Sequence, residues 1–125
     1  MASRTFTNKA LTIRVDDLGD RYEVHWSGKS TARNPSSFIA PILTATMQAA
    51  EKNTRMVVLD FTQVEYMNSS TVTPVIRVLD EAKRKGIEVE VVYAADLKWQ
   101  ELSFSALRVF CDEGSSISIL PGATG

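Results

Sequence analysis

The segment Met56-Val57-Val58-Leu59-Asp60-Phe61 constrains this chain most. A nearly continuous apolar run this short reads as a strand covered on both faces, which belongs in a sheet with helices packed on it. The sequence around it fits that arrangement. Downstream, Val72, Val75, Ile76, Leu79 and Ala82 recur at helical period, and Gly86 supplies a C-terminal stop. Pro74 is placed in that helix's first turn, where a missing N–H costs little. Lys83, Arg84 and Lys85 follow Asp80 and Glu81, and they match the negative end of the helix dipole rather than marking a ligand site. Ile87, Val89, Val91 and Tyr93 then alternate with Glu88 and Glu90 as a strand. Leu97 to about Phe110 is an amphipathic helix, and Ile117–Leu120 is a last short strand.

Upstream, Leu11, Ile13 and Val15 alternate with polar neighbours, Asp17-Leu18-Gly19-Asp20 reads as a turn, and Tyr22, Val24 and Trp26 alternate again, which makes a hairpin. Gly28 to Asn34 is read as a polar loop. Asn34-Pro35 gives a cap followed by proline at the first helical position, opening a helix to about Glu51 with Phe38, Ile42, Ala45 and Ala49 on one face. Pro41 predicts a late start or a kink. The order is ββαβαβαβ. It implies a single α/β domain over residues 1–125, with a mixed, mostly parallel sheet and three main helices joined by right-handed crossovers. Met1–Lys9 and Pro121–Gly125, short and polar, are expected to be loose termini. The loops after Trp26, Phe61 and Tyr93 should share the carboxyl edge of the sheet. That gathers Arg33 and Asn34, Asn68 to Thr71, and Asp96 with Lys98 and Trp99.

Composition removes several function classes. A formal charge of −1 lacks the basic surplus of a nucleic-acid binder. Cys111 is the only cysteine, so no internal disulfide or cysteine-rich metal site forms, and a reducing cytoplasm is the expected location. No signal-peptide pattern precedes Lys9, and no stretch approaches the roughly 18 apolar residues of a membrane span.

Enzyme chemistry also finds little support. His25, the sole histidine, sits mid-strand with no carboxylate or cysteine at ligand spacing, so it reads as a solvent-facing strand residue. A serine nucleophile would have only that histidine as its base, on a different strand. No glycine-rich phosphate loop is present. Asp16-Asp17 and Asp112-Glu113 read as solvated turn residues. No catalytic residue, metal site or cofactor is expected.

What remains is Asn68-Ser69-Ser70-Thr71, between the apolar strand and a helix N-terminus. By itself this is a capping sequence, since Asn and Ser side chains satisfy the orphan backbone N–H groups of a first turn. The same place suits a phosphate, which would face those N–H groups and the positive end of the dipole, a gain of ~0.3–1 kcal/mol when exposed.

Val57-Val58-Leu59-Asp60-Phe61, followed by Val64-Glu65-Tyr66-Met67-Asn68-Ser69-Ser70, resembles the central block of STAS domains, the fold of bacterial anti-sigma factor antagonists. In that family the hydroxyl residue directly after an Asp is phosphorylated by a serine kinase and restored by a phosphatase. The resemblance places that acceptor at Ser69. Asn68 stands where those antagonists carry Asp, and Thr71 where they carry Gly. Both residues are closer to the SiaC-like branch of STAS-like diguanylate cyclase regulators. Gly28-Lys29-Ser30 and Asn34-Pro35-Ser36-Ser37-Phe38-Ile39-Ala40-Pro41 are similar to that branch's pattern ahead of its first helix.

The resemblance implies a phosphorylation-regulated interaction module with Ser69 as acceptor and Asn68, Ser70 and Thr71 shaping the phosphosite. Arg33, Asn34, Tyr66, Met67 and Val72 are its candidate partner contacts. The implied partners are a serine/threonine kinase, a phosphatase and an effector, either a diguanylate cyclase or an anti-sigma factor, with no nucleic acid and no membrane insertion. Two other readings stay open: a constitutive scaffold in which Ser69 only caps, and a small-ligand or nucleotide sensor at the sheet edge.

Overall fold

A computed structural model of the chain describes residues 2–110 and 116–122. The elements run β1 (Ala2–Asn8), β2 (Leu11–Asp17), β3 (Arg21–Ser30), α1 (Ser36–Asn53), β4 (Met56–Met67), α2 (Ser69–Lys85), β5 (Val89–Tyr93), α3 (Lys98–Ala106), a 3-10 turn (Leu107–Phe110) and β6 (Ile117–Pro121). They form one six-stranded sheet in the order β1-β2-β3-β4-β5-β6. The pairs β1–β2 and β2–β3 are antiparallel, and the remaining neighbours are parallel. Among the described residues no helix is long and apolar enough to cross a membrane.

Alternation along the strands explains the layering. Ile13, Val24, Trp26, Leu59, Phe61 and Val91 point to one face and are buried in a single cluster with the helices. The opposite face carries Arg14, Glu23, His25, Asp60 and Glu90, all at least partly exposed. The apolar run expected to be covered on both sides is therefore covered on one. Val57, Leu59 and Phe61 are buried, while Val58 and Asp60 look out onto the open face half-buried.

Residues 2–8 are not a loose terminus. They form β1, which pairs with β2 along its whole length, from Ala2↔Asp17 to Asn8↔Leu11. Its sequence offers one large apolar residue, Phe6, which packs partly buried against the core. The strand is held by main-chain pairing to an amphipathic neighbour and by Ser3 Oγ donating to Asp16 at 2.7 Å. The sheet thus has six strands where five were expected. At the other end Pro121 belongs to β6 and Gly122 N–H donates to Tyr93 O at 2.7 Å. Residues 123–125 lie outside the described residues, as do Asp112 and Glu113. Asp16 and Asp17 belong to β2 rather than to the turn itself.

Three further boundaries move. β3 continues through Gly28 to Ser30, where a polar loop was expected. Gly28 has φ +89°, and a Cβ there would collide with the Ala10 carbonyl, which accepts the Lys29 N–H at 3.0 Å. Asn34 does not cap α1 through its side chain. Pro35 holds the cap position, and the Asn34 carbonyl accepts from Ser37 Oγ at 2.9 Å. The helix passes unbroken through Pro41, which lies on its exposed side, as does Ser37, whose carbonyl it frees. Its buried stripe is Ile39, Ile42, Leu43, Thr46, Met47 and Ala50, whereas Ala45 is exposed. The expected stripe was rotated, because Leu43 and Met47 bury more apolar area than Ala45 and Ala49.

Helix α3 is fastened by rings and by one polar side chain. Trp26, Phe61, Phe104 and Tyr93 form a ladder with centroid separations of 4.7, 4.9 and 5.7 Å. Gln100, fully buried, accepts from Ala94 N–H at 2.8 Å and donates to the carbonyls of Phe61 (2.9 Å) and Val64 (2.8 Å).

Candidate functional site

β4 outlasts its partner on one side. Its pairing with β5 ends at Asp60↔Val92, while its pairing with β3 continues to Ser30↔Met67. That extension carries Asn68 on the order of 20 Å beyond the end of β5, at about 3.3 Å per residue less the shortening at two bulges. The first turn of α3, tied by Gln100 to Phe61 and Val64, therefore sits lower on the sheet. Asp96, Lys98 and Trp99 accordingly belong to that lower level. Arg33 and Asn34 remain beside Asn68, because both the β3–α1 loop and the β4–α2 junction rise from the long β3–β4 ladder.

Asn68 is the N-cap of α2, with extended backbone (φ −76°, ψ 167°). Its Oδ1 accepts the Thr71 N–H at 3.1 Å and the Thr71 hydroxyl at 2.7 Å. Its Nδ2 donates to Ala32 O at 3.0 Å, and its backbone N–H donates to Ser30 O at 3.0 Å. Ser30 Oγ lies 2.6 Å from Thr71 Oγ1. Since Thr71 donates its one hydroxyl proton to Asn68, Ser30 donates to Thr71. This buried network joins the end of β3, the β3–α1 loop and the first turn of α2. It also sorts the hydroxyl cluster. Thr71 is fully buried and spoken for, whereas Ser69 and Ser70, the first two helical residues, are exposed.

The surroundings suit an anion. The first turn of α2 contains no acidic residue, and its N–H groups present the positive end of the dipole. Pro74 is the sixth residue of α2 rather than part of its first turn, so it frees the Ser70 carbonyl and attaches that turn less firmly to the helix. Gly86 ends the helix in left-handed conformation (φ 70°), with Ile87 N–H bonded to Ala82 O.

The expected contact residues divide. Arg33, Asn34 and Tyr66 are exposed, Tyr66 at 49%. Val72 is partly buried against the core. Met67 points inward and joins the core cluster, because strand alternation from exposed Tyr66 turns it toward the helices. It leaves the candidate contact surface.

His25 does face the open side of the sheet, but its carboxylate partners come from adjacent strands and from two residues away. Nδ1 is 3.2 Å from Asp60 and Nε2 is 3.0 Å from Glu23, with Asp16 at 3.8 Å. Burial acts to raise the Asp16 carboxyl, but hydrogen bonds from Ser3 and Arg14 and the nearby positive charges outweigh it and leave it below its ordinary value. Among the described residues no group of three or more His, Cys, Asp or Glu side chains is arranged to hold a metal. Gln100 was missed by sequence reasoning, since nothing in its local spacing signals a buried bridge. Ser30 was legible only through the Gly28-Lys29-Ser30 pattern.

The STAS domain family matches residues 25–96. SiaC of Pseudomonas aeruginosa is similar in structure, with a TM-score of 0.70 at 19% identity over 99% of this chain and 100% of that one. A chain from the crystal structure of the diguanylate cyclase SiaD in complex with its activator SiaC, also from Pseudomonas aeruginosa, gives 0.68 at 14% identity over 95% and 99%. An anti-sigma factor antagonist from Mycobacterium paratuberculosis gives 0.67 at 14% over 93% and 90%. At these identities the likeness is one of fold. No curated protein matches the sequence.

Proposed function

This chain belongs to the STAS domain family, and we propose that it works as a phosphorylation-regulated interaction switch in a partner-switching pathway, with Ser69 as the phosphoacceptor. The division of the hydroxyl cluster carries the reading: Ser69 is exposed at the first helical position while Thr71 is locked beneath it. A serine/threonine kinase reaches the exposed hydroxyl without disturbing the network below, and a phosphatase reverses the step. The phosphate adds about −1.5 to −2 charge at a helix start that tolerates it, so the fold persists and only the surface changes.

In the unmodified state the face formed by Ser69, Ser70, Tyr66, Arg33 and Asn34 docks on an effector. Phosphorylation places an uncompensated charge in that desolvated contact and releases the partner. The effector is a diguanylate cyclase or an anti-sigma factor. The cyclase is favoured by the structural likeness to the complex of SiaD with its activator and by the Asn68 cap. The pathway is cytoplasmic. The test is affinity capture with wild type, Ser69→Ala and Ser69→Asp. Ser69→Ala keeps the partner, and Ser69→Asp weakens capture at least about tenfold, or ~1.4 kcal/mol. Undiminished capture by Ser69→Asp, or equal labelling of Ser69→Ala by the cognate kinase, refutes the proposal.

A further inference from the structure

The outer edge of β1, separated from β4 by β2 and β3, carries a second surface. β1 is one of the two edge strands of the sheet. Edge strands present a row of unpaired N–H and C=O groups, and proteins normally blunt them with a short strand, a proline, charged side chains or a bulge; the one charge on β1 is Arg4. β6, at the other edge, is five residues long and ends in Pro121. β1 is seven residues long, ASRTFTN, with an unbroken register against β2 and neither proline nor lysine.

The register shows which groups face outward. Asn8 and Leu11 close the two-residue turn Lys9-Ala10, so they form a hydrogen-bonded pair, and the alternation of an antiparallel ladder makes Phe6↔Ile13, Arg4↔Val15 and Ala2↔Asp17 the same kind. Ser3, Thr5 and Thr7 therefore direct their N–H and C=O groups away from β2. On the helix side of the edge, Arg4 and Phe6 line the rim of an apolar groove of about 250 Å³ floored by Val15, Ile42 and Ala49.

We propose that this edge is a self-association surface, on which a second copy of the chain pairs antiparallel about a two-fold axis at Thr5. Two constraints select that register. Keeping both helical layers on one side of a continuous sheet requires residues of like parity to oppose each other. With Thr5 opposite Thr5, all three outward residues exchange main-chain hydrogen bonds, Ser3 with Thr7 and Thr5 with Thr5. Arg4 then lies opposite the second copy's Phe6 at the groove rim, where a guanidinium on a ring face is favourable. Shifting the axis to Arg4 sets two arginines directly opposite each other, which is destabilising, and leaves Thr7 without a described partner. Shifting it to Phe6 instead sets Ser3 opposite Lys9 of the β1–β2 turn, outside the strand, and loses that exchange, so charge and hydrogen bonding agree on the axis at Thr5.

The test is the solution mass of the full chain at high micromolar concentration, with reductant present so that Cys111 cannot link copies. The wild type is expected at twice the 13.8 kDa of one chain. Thr5→Lys, which sets two ammonium groups across the axis on the open face, is expected at one chain's mass with its circular dichroism unchanged. An equimolar mixture of Thr5→Lys and Thr5→Glu is expected to return to two chains. That rescue reports Thr5 opposite Thr5, since no other register brings these side chains face to face. A wild type that stays at 13.8 kDa overturns the proposal, including the case where the edge instead takes an extended peptide of another protein. A Thr5→Lys variant as dimeric as wild type, or a mixture that fails to recover, overturns it as well.

Discussion

Replacing Asn68 with alanine removes the piece that joins three segments of the site. The lost interactions are the cap bond to Thr71 N–H (3.1 Å), the acceptor for the Thr71 hydroxyl (2.7 Å) and the donor to Ala32 O (3.0 Å). A cap is typically worth ~1 kcal/mol and a net hydrogen bond ~1 kcal/mol more. The Thr71 hydroxyl keeps Ser30 as a partner, so its loss is partly recovered. The expected cost is therefore about 2–3 kcal/mol. Asn68→Asp should cost less. Its carboxylate still accepts from Thr71 and favours the helix dipole, but it faces the Ala32 carbonyl with no donor. Equilibrium urea unfolding, read from Trp26 buried beside Phe61, gives both values as shifts in midpoint at constant slope. The order wild type, Asp, Ala is required. An Asn68→Ala variant within about 0.5 kcal/mol of wild type, the usual range of an uninvolved surface change, would refute the network as drawn.

Gln100→Leu strands one N–H and two carbonyls in the core, and should cost at least ~3 kcal/mol at 1–3 kcal/mol per buried orphan; a loss under ~1 kcal/mol would show the bridge to be dispensable. Thr54, a β-branched residue at φ 52° ending α1, should become Gly with a gain of ~1 kcal/mol by thermal unfolding, and a loss would contradict the left-handed cap. Acid should weaken the fold through Asp16 and Asp17. Asp17 is held below its ordinary value by the Gly19 N–H and by Arg55, and Asp16 by the bonds from Ser3 and Arg14 that overcome burial. A folded carboxyl that binds its proton less readily than the unfolded one contributes stability above the ordinary carboxylate range, and that contribution is lost as pH falls through the folded value. The Asp16→Asn/Asp17→Asn variant should therefore be less stable than wild type at pH 7 and converge with it near pH 2; a constant gap would contradict the assignment.

How much of this was legible depends on where each signal resides. The hairpin from Leu11 to Trp26, a helix ending at Gly86 and a capping cluster over Asn68–Thr71 are written in local periodicity and in capping chemistry, and all three are observed, with the cap on Asn68 rather than on Ser69, which is the first helical residue. β1 was not legible because its stability comes from pairing with β2, not from its own one large apolar residue. The rotation of α1 turned on the relative size of Leu43 and Ala45, which a binary pattern ignores. The carboxylate Asp60 beside His25, and the carbonyls bridged by Gln100, lie on other strands and became neighbours only through register. At the site itself, residue types marked Asn68–Thr71, but only burial separated Thr71 from Ser69.

Ser69 as the phosphoacceptor is the central claim, and phosphopeptide mapping of the protein isolated from its native cells tests it most directly. The account predicts phosphate on Ser69 and none on Ser70 or Thr71. A phosphate on Ser70 instead, or no phosphopeptide under any growth condition, would contradict it.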